Sequence, residues 1–165
     1  MNIRPASIAD LGAIRAIALR TWPVAYGDIL SPAQLSYMLD LMYTEEALMA
    51  QLMEKGHHFN LLVVGGDAKG FSSHEHHHAE RSHTRLHKLY TLPQAQGLGF
   101  GKELLLEVLR AVRAAGDHMV ELNVNRFNKA RGFYEKCGFR VVRDEVIDIG
   151  HGYVMDDHVM ELSIG

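Results

Sequence analysis

Histidine is concentrated in one short stretch of the sequence. Residues 72–90 hold six of the chain's eleven histidines: His74, His76, His77, His78, His83 and His87. Imidazole nitrogens bind Zn²⁺, and side chains at i and i+2 of a strand share one face, a spacing that the first, second and fourth of these have. Because no cysteine accompanies them, we expect a solvent-facing hairpin from His74 to His83 with incidental metal affinity and no required metal.

A glycine-rich turn offers a second kind of chemistry. The residues Gln96-Gly97-Leu98-Gly99-Phe100-Gly101-Lys102 lie between a strand that ends near Pro93 and a long amphipathic helix. Glycines allow backbone N–H groups to approach a ligand closely, and a helix N-terminus carries about half a positive charge. The pattern indicates a diphosphate site, although such a turn also occurs without any ligand.

Two familiar nucleotide motifs do not fit this turn. A Rossmann turn belongs near the start of a βαβ unit, whereas three predicted helices and several strands precede this one. A Walker loop requires serine or threonine after its lysine, and here Gly101-Lys102 is followed by Glu103.

Composition bounds the class of protein. The chain has 165 residues, a formal net charge of −3 and one cysteine. This predicts a single domain over residues 1–165 with no internal disulfide and no basic field for nucleic acid or a membrane surface. With neither a signal-peptide pattern nor a long apolar run, we expect a cytoplasmic protein.

The spacing of apolar residues predicts the helices and strands that carry these residues. Helices are predicted from Ser7 to about Trp22, from Ser31-Pro32, from Thr44 to Gly56, over Leu98–Ala115 and over Asn128–Lys136. Strands are predicted over Asn2–Ala6, Phe59–Val64, from near Lys69, over Arg85–Leu92 and over Met119–Val124, with a C-terminal pair of Phe139–Ile149 and Tyr153–Ile164. The result is one mixed α+β domain with a largely antiparallel sheet.

Two segments in this order carry a resemblance to a known family. The turn Gln96-x-x-Gly99-x-Gly101 is followed, after a helix and a strand, by NKARGFYEKCGF from Asn128 to Phe139. Together they resemble the pyrophosphate signature and the second conserved block of the GNAT family of acyl-CoA-dependent N-acetyltransferases. The segments TWPVAYGDILSPAQLSYMLDLMY and GYVMDDHVMEL look, more narrowly, like bacterial PaiA-type polyamine N-acetyltransferases.

The resemblance implies a fold and a cosubstrate site. The fold is the three-layer αβα arrangement, with helices on both faces of the sheet and a C-terminal β-hairpin. Acetyl-CoA would be the cosubstrate, with its pantetheine arm along Leu89, Tyr90 and Thr91. Its pyrophosphate would meet the backbone N–H groups from Gly97 through Leu98, Gly99, Phe100 and Gly101 to Lys102, and Asn128 would contact it through its side-chain amide.

The resemblance also implies catalytic roles. Tyr134 matches the general acid that protonates the departing CoA thiolate, and a phenol with a pKa of about 10 stays protonated at neutral pH. The alternative is that Phe133-Tyr134 only pack the helix on the sheet. For the base, His87 lies on the strand that approaches the cosubstrate, and water chains to Asp156 or Asp157 would serve as well.

The acceptor is expected to be a primary amine, such as a polyamine or a similar cationic small molecule. Trp22, Tyr26 and Tyr37 lie in the early helices that wall the acceptor site by resemblance, and aromatic faces suit cations. Acids outnumber bases after Val142, and Asp157 is the acid assigned to the substrate. The alternatives are a non-catalytic acyl-CoA sensor of the same fold and a histidine-rich metal-binding protein; a homodimer is left open.

Overall fold

The computed structural model describes all residues 1–165. Seven strands form one sheet in the order β1-β2-β3-β4-β5-β7-β6. The strands are β1 Asn2–Pro5, β2 His58–Val64, β3 Asp67–Glu75, β4 His83–Thr91, β5 Met119–Asn125, β6 Arg140–Gly150 and β7 Tyr153–Ser163. All neighbouring strands are antiparallel except β4 and β5, which are parallel, so the predicted mixed and largely antiparallel sheet is confirmed.

Five helices pack on this sheet: α1 Leu11–Tyr26, α2 Pro32–Tyr43, α3 Glu45–Met53, α4 Phe100–Ala115 and α5 Ala130–Lys136. Two of them begin as the sequence predicts. The Ser31 hydroxyl accepts the Gln34 N–H at 3.1 Å, and the Thr44 hydroxyl accepts the Ala47 N–H at 3.1 Å. These caps satisfy donors that a helix start leaves without partners.

The bounds of four helices differ from the prediction. Helix α3 ends at Met53 rather than near Gly56. Helix α1 continues through Pro23 to Tyr26, because the Gly27 N–H reaches the Pro23 carbonyl at 3.0 Å and keeps the last turn closed. Helix α4 begins at Phe100 rather than at residue 98, since Gly99 has a φ of 81° and ends the turn in the left-handed region. Helix α5 begins at Ala130 rather than at residue 128.

The core consists of two apolar clusters on opposite faces of the sheet. One joins α1, α2 and α3 to β2 and β3 around Trp22, Tyr43 and Phe71. The other joins α4 and α5 to β5 and β7 around Val108 and Leu122. Helices therefore cover both faces, and the hairpin of β6 and β7 closes the sheet, as the predicted three-layer αβα fold requires. No helix is long and apolar enough to cross a membrane.

Candidate active site

The central feature of the site is a gap between two parallel strands. Strands β4 and β5 pair only over His83–Arg85 and Met119–Glu121, and their continuations lie apart. On its other edge, β4 stays paired with β3 up to Thr91. The N–H and C=O groups of β4 after residue 86 that point toward β5 therefore have no strand partner. An extended ligand can add to such an edge as another strand would.

A bulge in β4 accompanies this gap. Ser73 pairs with Lys88 and His74 pairs with Leu86, so His87 has no partner residue on β3. A bulge adds one residue to a strand and changes the direction of the side chains around it. As a result Leu86 packs in the α4 cluster, while Tyr90 packs against the α1 cluster.

The glycine turn lies after β4, as the sequence predicts. Gly97 and Gly99 both have left-handed φ angles, of 82° and 81°. The N–H groups in the first turn of α4 have no acceptors within the helix, and the helix dipole adds positive potential there. Leu98 and Lys102 are exposed, so the turn is open to a ligand.

On the α5 side, the gap holds a cavity of about 50 Å³. Leu89, Tyr90 and Asn128, which were predicted to contact the cosubstrate, line it together with Tyr134, the predicted acid. Tyr134 is only 8% exposed, and burial raises its pKa above the ordinary value of 10.0. It is therefore a protonated phenol at neutral pH. The Asn128 amide donates to the Tyr26 hydroxyl at 3.4 Å, so this side chain already has a protein partner.

A larger cavity of about 170 Å³ lies on the α1–α2 side of the gap. The predicted substrate residues Trp22, Tyr26 and Asp157 line it together with Tyr43 and Met38. The rings of Trp22 and Tyr26 lie 4.5 Å apart, and the Tyr26 hydroxyl bonds the Tyr90 hydroxyl at 2.9 Å. Tyr26, Tyr90 and His87 line both cavities, so the two spaces meet at the gap between the strands.

Asp157 is the acid of this cavity. It is 2% exposed, and burial raises the pKa of its carboxyl, although a hydrogen bond from the Asn123 amide at 3.2 Å opposes the shift. Three other C-terminal acids are held by arginines: Asp144 and Asp156 bind Arg126, and Glu145 binds Arg143. Asp148 and Glu161 do not line this cavity. Only one carboxylate of the predicted acidic segment thus faces the acceptor space.

Tyr37 does not belong to the cavity. Its hydroxyl donates to the Ile149 carbonyl at 2.5 Å, and its ring packs on His151 and Tyr153. The residue ties α2 to the C-terminal hairpin. The helical repeat places Met38 on the cavity side instead, which the aromatic composition alone did not reveal.

His87 lies at the junction of the cavities, but its imidazole is engaged. Its Nε2 donates to the Glu75 carboxylate at 2.9 Å, and its ring stacks on His57 with centroids 4.0 Å apart. Burial and the neighbouring His57 lower the pKa of His87 below its ordinary value. A neutral imidazole of such low basicity takes a proton from an ammonium group poorly, so this geometry disfavours His87 as the base.

Lys88 is a residue of the site that sequence reasoning missed. It is 7% exposed, lines both cavities, and donates to the Gln51 side-chain oxygen at 2.7 Å. Its ammonium group lies over the rings of Tyr43 and Phe59 and has no carboxylate partner. Burial lowers its pKa from 10.5 to about 7. The alternation of side chains along β4 could have indicated which residues face the site, but the bulge at residue 87 reverses that alternation.

The histidine run is not the solvent-facing hairpin that was predicted. Strand β3 extends to Glu75, so His74 is buried within the sheet, 3% exposed, and of the six only His77 is exposed. His76 and His78 follow the end of the strand, which breaks the i, i+2 face that the metal hypothesis required. The structure instead gathers His57, Glu75 and His87 within reach of one ion.

Comparison with known proteins gives the class. Residues 30–155 match the model of the acetyltransferase (GNAT) domain. A spermidine N(1)-acetyltransferase of Thermoplasma acidophilum is 27% identical over 146 residues, covering 86% of this chain and 89% of the relative. A probable N-acetyltransferase of Mycobacterium tuberculosis is also 27% identical over 146 residues, covering 86% and 80%.

Solved structures agree with this match. The PaiA N-acetyltransferase of Thermoplasma acidophilum, in complex with coenzyme A, superposes with a TM-score of 0.81 at 25% identity and 98% coverage of both chains. A GCN5-related N-acetyltransferase from Rhodopseudomonas palustris has the same fold, with a TM-score of 0.82 at 20% identity, covering 98% and 94%.

The chain belongs to the GNAT acetyltransferase family, and it is an acyl-CoA-dependent N-acetyltransferase that uses acetyl-CoA as cosubstrate. The unpaired edge of β4 and the open glycine turn at residues 97–99 fit this cosubstrate. The first offers backbone N–H and C=O groups to the pantetheine arm, and the second leads to the free N–H groups at the start of α4.

Proposed function

We propose that this protein transfers the acetyl group of acetyl-CoA directly to a primary amine bound in the larger cavity. One observation carries the proposal: the two cavities lie on either side of the β4–β5 gap and share Tyr26, His87 and Tyr90. A thioester in the gap would therefore be open to an amine from the α1–α2 side. No covalent enzyme intermediate is needed, because the amine in the larger cavity would attack a thioester in the gap directly.

The backbone of β4 would position the cosubstrate, which supplies the activated acetyl group. The free edge groups of Leu89, Tyr90 and Thr91 suit the amides of a pantetheine arm. An N–H group on the same edge would polarise the thioester carbonyl, where negative charge develops during attack. The N–H groups of residues 97–102 would hold the pyrophosphate at the start of α4.

Tyr134 would act as the general acid. It lines the cavity on the α5 side, and burial raises its pKa, so the phenol keeps its proton until a thiolate forms beside it. No hydrogen bond to another side chain engages its hydroxyl, which supports a role other than packing.

Asp157 is the best-placed group to receive the proton of the attacking ammonium. The carboxylate faces the acceptor cavity, and its raised pKa brings its basicity closer to that of a useful base. It would act through water where the amine lies out of reach. His87 and Asp156 are weaker choices, because the first is engaged by Glu75 and the second by Arg126.

We propose a polyamine or a similar cationic small molecule as the acceptor. The buried carboxylate of Asp157 and the aromatic walls of Trp22 and Tyr26 suit an ammonium group. The spermidine N(1)-acetyltransferase of Thermoplasma acidophilum supports this choice. Arg85 and Lys88 also line the cavity, so a second positive charge on the acceptor would have to lie away from them.

An acetyl-CoA assay with an amine panel tests the function. Thiol release is measured with spermidine, spermine, a monoamine of similar length, a peptide with a free N-terminus and no amine. The polyamine hypothesis predicts the highest kcat/KM for spermidine or spermine, whereas preference for the peptide would refute it. Calorimetry that shows CoA binding without turnover of any amine would establish the acyl-CoA sensor instead.

We further infer that residues 1–165 act as one domain, because the seven-stranded sheet joins elements from both ends of the chain. A cytoplasmic location stays a prediction from composition. Light scattering on the purified protein distinguishes a monomer from a homodimer.

A further inference from the structure

Three histidines surround one carboxylate oxygen beside the acceptor cavity. The Oε1 atom of Glu75 lies 2.9 Å from His87 Nε2, 3.1 Å from His78 Nδ1 and 3.7 Å from His57 Nε2. The four residues come from different segments: the residue before β2, the end of β3, the turn after it and the bulge of β4. They are not the His74, His76 and His78 set that sequence spacing indicated.

These distances are close to those of a tetrahedral metal site. With bonds of about 2.0–2.2 Å to nitrogen and oxygen, ligand atoms around Zn²⁺ lie roughly 3.3–3.5 Å apart. The distances from Glu75 to His87 and to His57, 2.9 and 3.7 Å, bracket that separation. The ligand atoms of His57, Glu75 and His87 all lie within 4.8 Å of one another, so a contraction of this cluster would bring them onto one ion.

We propose that His57, Glu75 and His87 form a binding site for Zn²⁺ or a similar divalent transition metal. Two imidazoles and one carboxylate are ligands that this class of ion prefers, and water would fill the fourth position. His87 would bind through Nε2, and the proton now on that atom would move to Nδ1 of the same neutral ring. No protein group needs to be oxidised or to lose a net proton.

The surroundings of the carboxylate support this assignment. No arginine or lysine forms an ion pair with Glu75, so no cationic side chain competes with a metal ion for its oxygen atoms.

A second cluster, His83, Glu121 and Glu161, provides a matched control. Arg81 already holds the Glu121 carboxylate at 2.9 Å, and this ion pair competes with any metal. We assign no site there. His83→Ala therefore serves as a control histidine substitution that should leave metal affinity unchanged.

The position of the site has a consequence that rests on the proposed function. His87 also lines the acceptor cavity, so a bound dication would add positive charge beside a space that receives an ammonium group. Zinc occupancy should raise KM for spermidine more than KM for acetyl-CoA.

The test is a zinc titration of the full chain, without a purification tag and stripped with a chelator, against a chromophoric competitor. We expect one tight Zn²⁺ per chain and a loss of affinity of at least tenfold in His57→Ala and in Glu75→Gln. His74→Ala and His83→Ala should keep the wild-type Kd. At a hundredfold excess of Zn²⁺ over Kd, the wild-type Tm should rise by roughly 5–10 °C, and the Glu75→Gln Tm should not.

X-ray absorption of the zinc-loaded protein gives a second readout that needs no variant. A first shell with two imidazole nitrogens and with oxygen from Glu75 and water supports the site. Equal affinity in wild type, His57→Ala and Glu75→Gln, or loss of zinc only in His74→Ala, would overturn it as incidental binding by the histidine run. Both readouts are independent of turnover, so absence of acetyltransferase activity would not affect the outcome.

Discussion

Replacing Lys88 by methionine should stabilise the protein at neutral pH. The ammonium group is 7% exposed and has only the Gln51 side-chain oxygen and two aromatic rings as partners. Burial lowers its pKa from 10.5 to about 7. The unfolded chain therefore binds this proton more tightly than the folded chain, and folding carries a cost wherever the unfolded lysine is charged.

The magnitude follows from the two pKa values. Proton linkage gives a cost of about 4 kcal/mol at pH 7 that falls to about 2 kcal/mol at pH 9. Stability of the wild type should thus gain about 2 kcal/mol over this range from Lys88 alone. In Lys88→Met this gain disappears, and the Gln51 oxygen left without a donor costs about 1–3 kcal/mol. The variant should therefore be about 1–3 kcal/mol more stable than wild type at pH 7 and within about 1 kcal/mol of it at pH 9.

Urea unfolding at pH 7, 8 and 9, followed by the fluorescence of the single tryptophan Trp22, measures this difference. Trp22 is buried next to Tyr43, which contacts Lys88, so its emission reports on the same core. Lys136→Met removes an exposed lysine, and its free energy of unfolding should change with pH as that of wild type does. Taking the difference between chains cancels the titration of other groups. If the free energy of unfolding of Lys88→Met also changes with pH as that of wild type does between pH 7 and pH 9, Lys88 is not desolvated and the reasoning fails.

Three further predictions address the site, and a fourth addresses the buried His74. Tyr134→Phe should lower kcat about 100-fold with KM for acetyl-CoA nearly unchanged, because it removes a proton donor; equal kcat in steady-state assays would leave the ring a packing role. Asp157→Asn should raise KM for spermidine at least tenfold by removing about 1.4 kcal/mol of charge attraction, whereas a neutral peptide acceptor should respond less. Gly99→Ala should raise KM for acetyl-CoA about fivefold or more, since its φ of 81° costs a non-glycine residue about 1–2 kcal/mol; calorimetry of CoA binding checks this. Burial lowers the pKa of His74 to about 3, so its stabilisation is complete above pH 6.5 and falls by about 3 kcal/mol between pH 6.5 and 4; His74→Leu should flatten acid unfolding curves in that range.

The features that the sequence predicts well are those that depend on neighbouring residues. Ser31-Pro32 and Thr44 start helices because each cap bonds an N–H three residues on. The glycine turn and Tyr134 lie where they were expected because each belongs to a continuous motif around one helix. Three-residue patterns of this kind need no knowledge of distant contacts.

The features that the sequence did not predict depend on pairing between distant segments. Glu75 meets His57 and His87 because the pairing of β2, β3 and β4 brings the end of β3 beside the residue before β2 and the bulge of β4, and single-strand spacing carries no information on that. Tyr37 is an aromatic residue of the kind that lines binding sites, but its hydroxyl donates to the Ile149 carbonyl in the C-terminal hairpin. In both cases the deciding partner lies in another segment of the chain.

The bulge at His87 connects the catalytic gap to the histidine cluster. In a regular ladder, Lys88 and Leu86 would lie on the same face of β4, yet one lies against Tyr43 and the other in the α4 cluster. The extra residue makes that change of face, and it also leaves His87 free to reach Glu75. It lies where β4 leaves β5, so the unpaired edge and the histidine–carboxylate cluster occupy the same point of the sheet. A substitution that alters this bulge should therefore affect acetyl-CoA binding and zinc binding together. His57 lies outside both cavities, so His57→Ala should affect zinc binding alone.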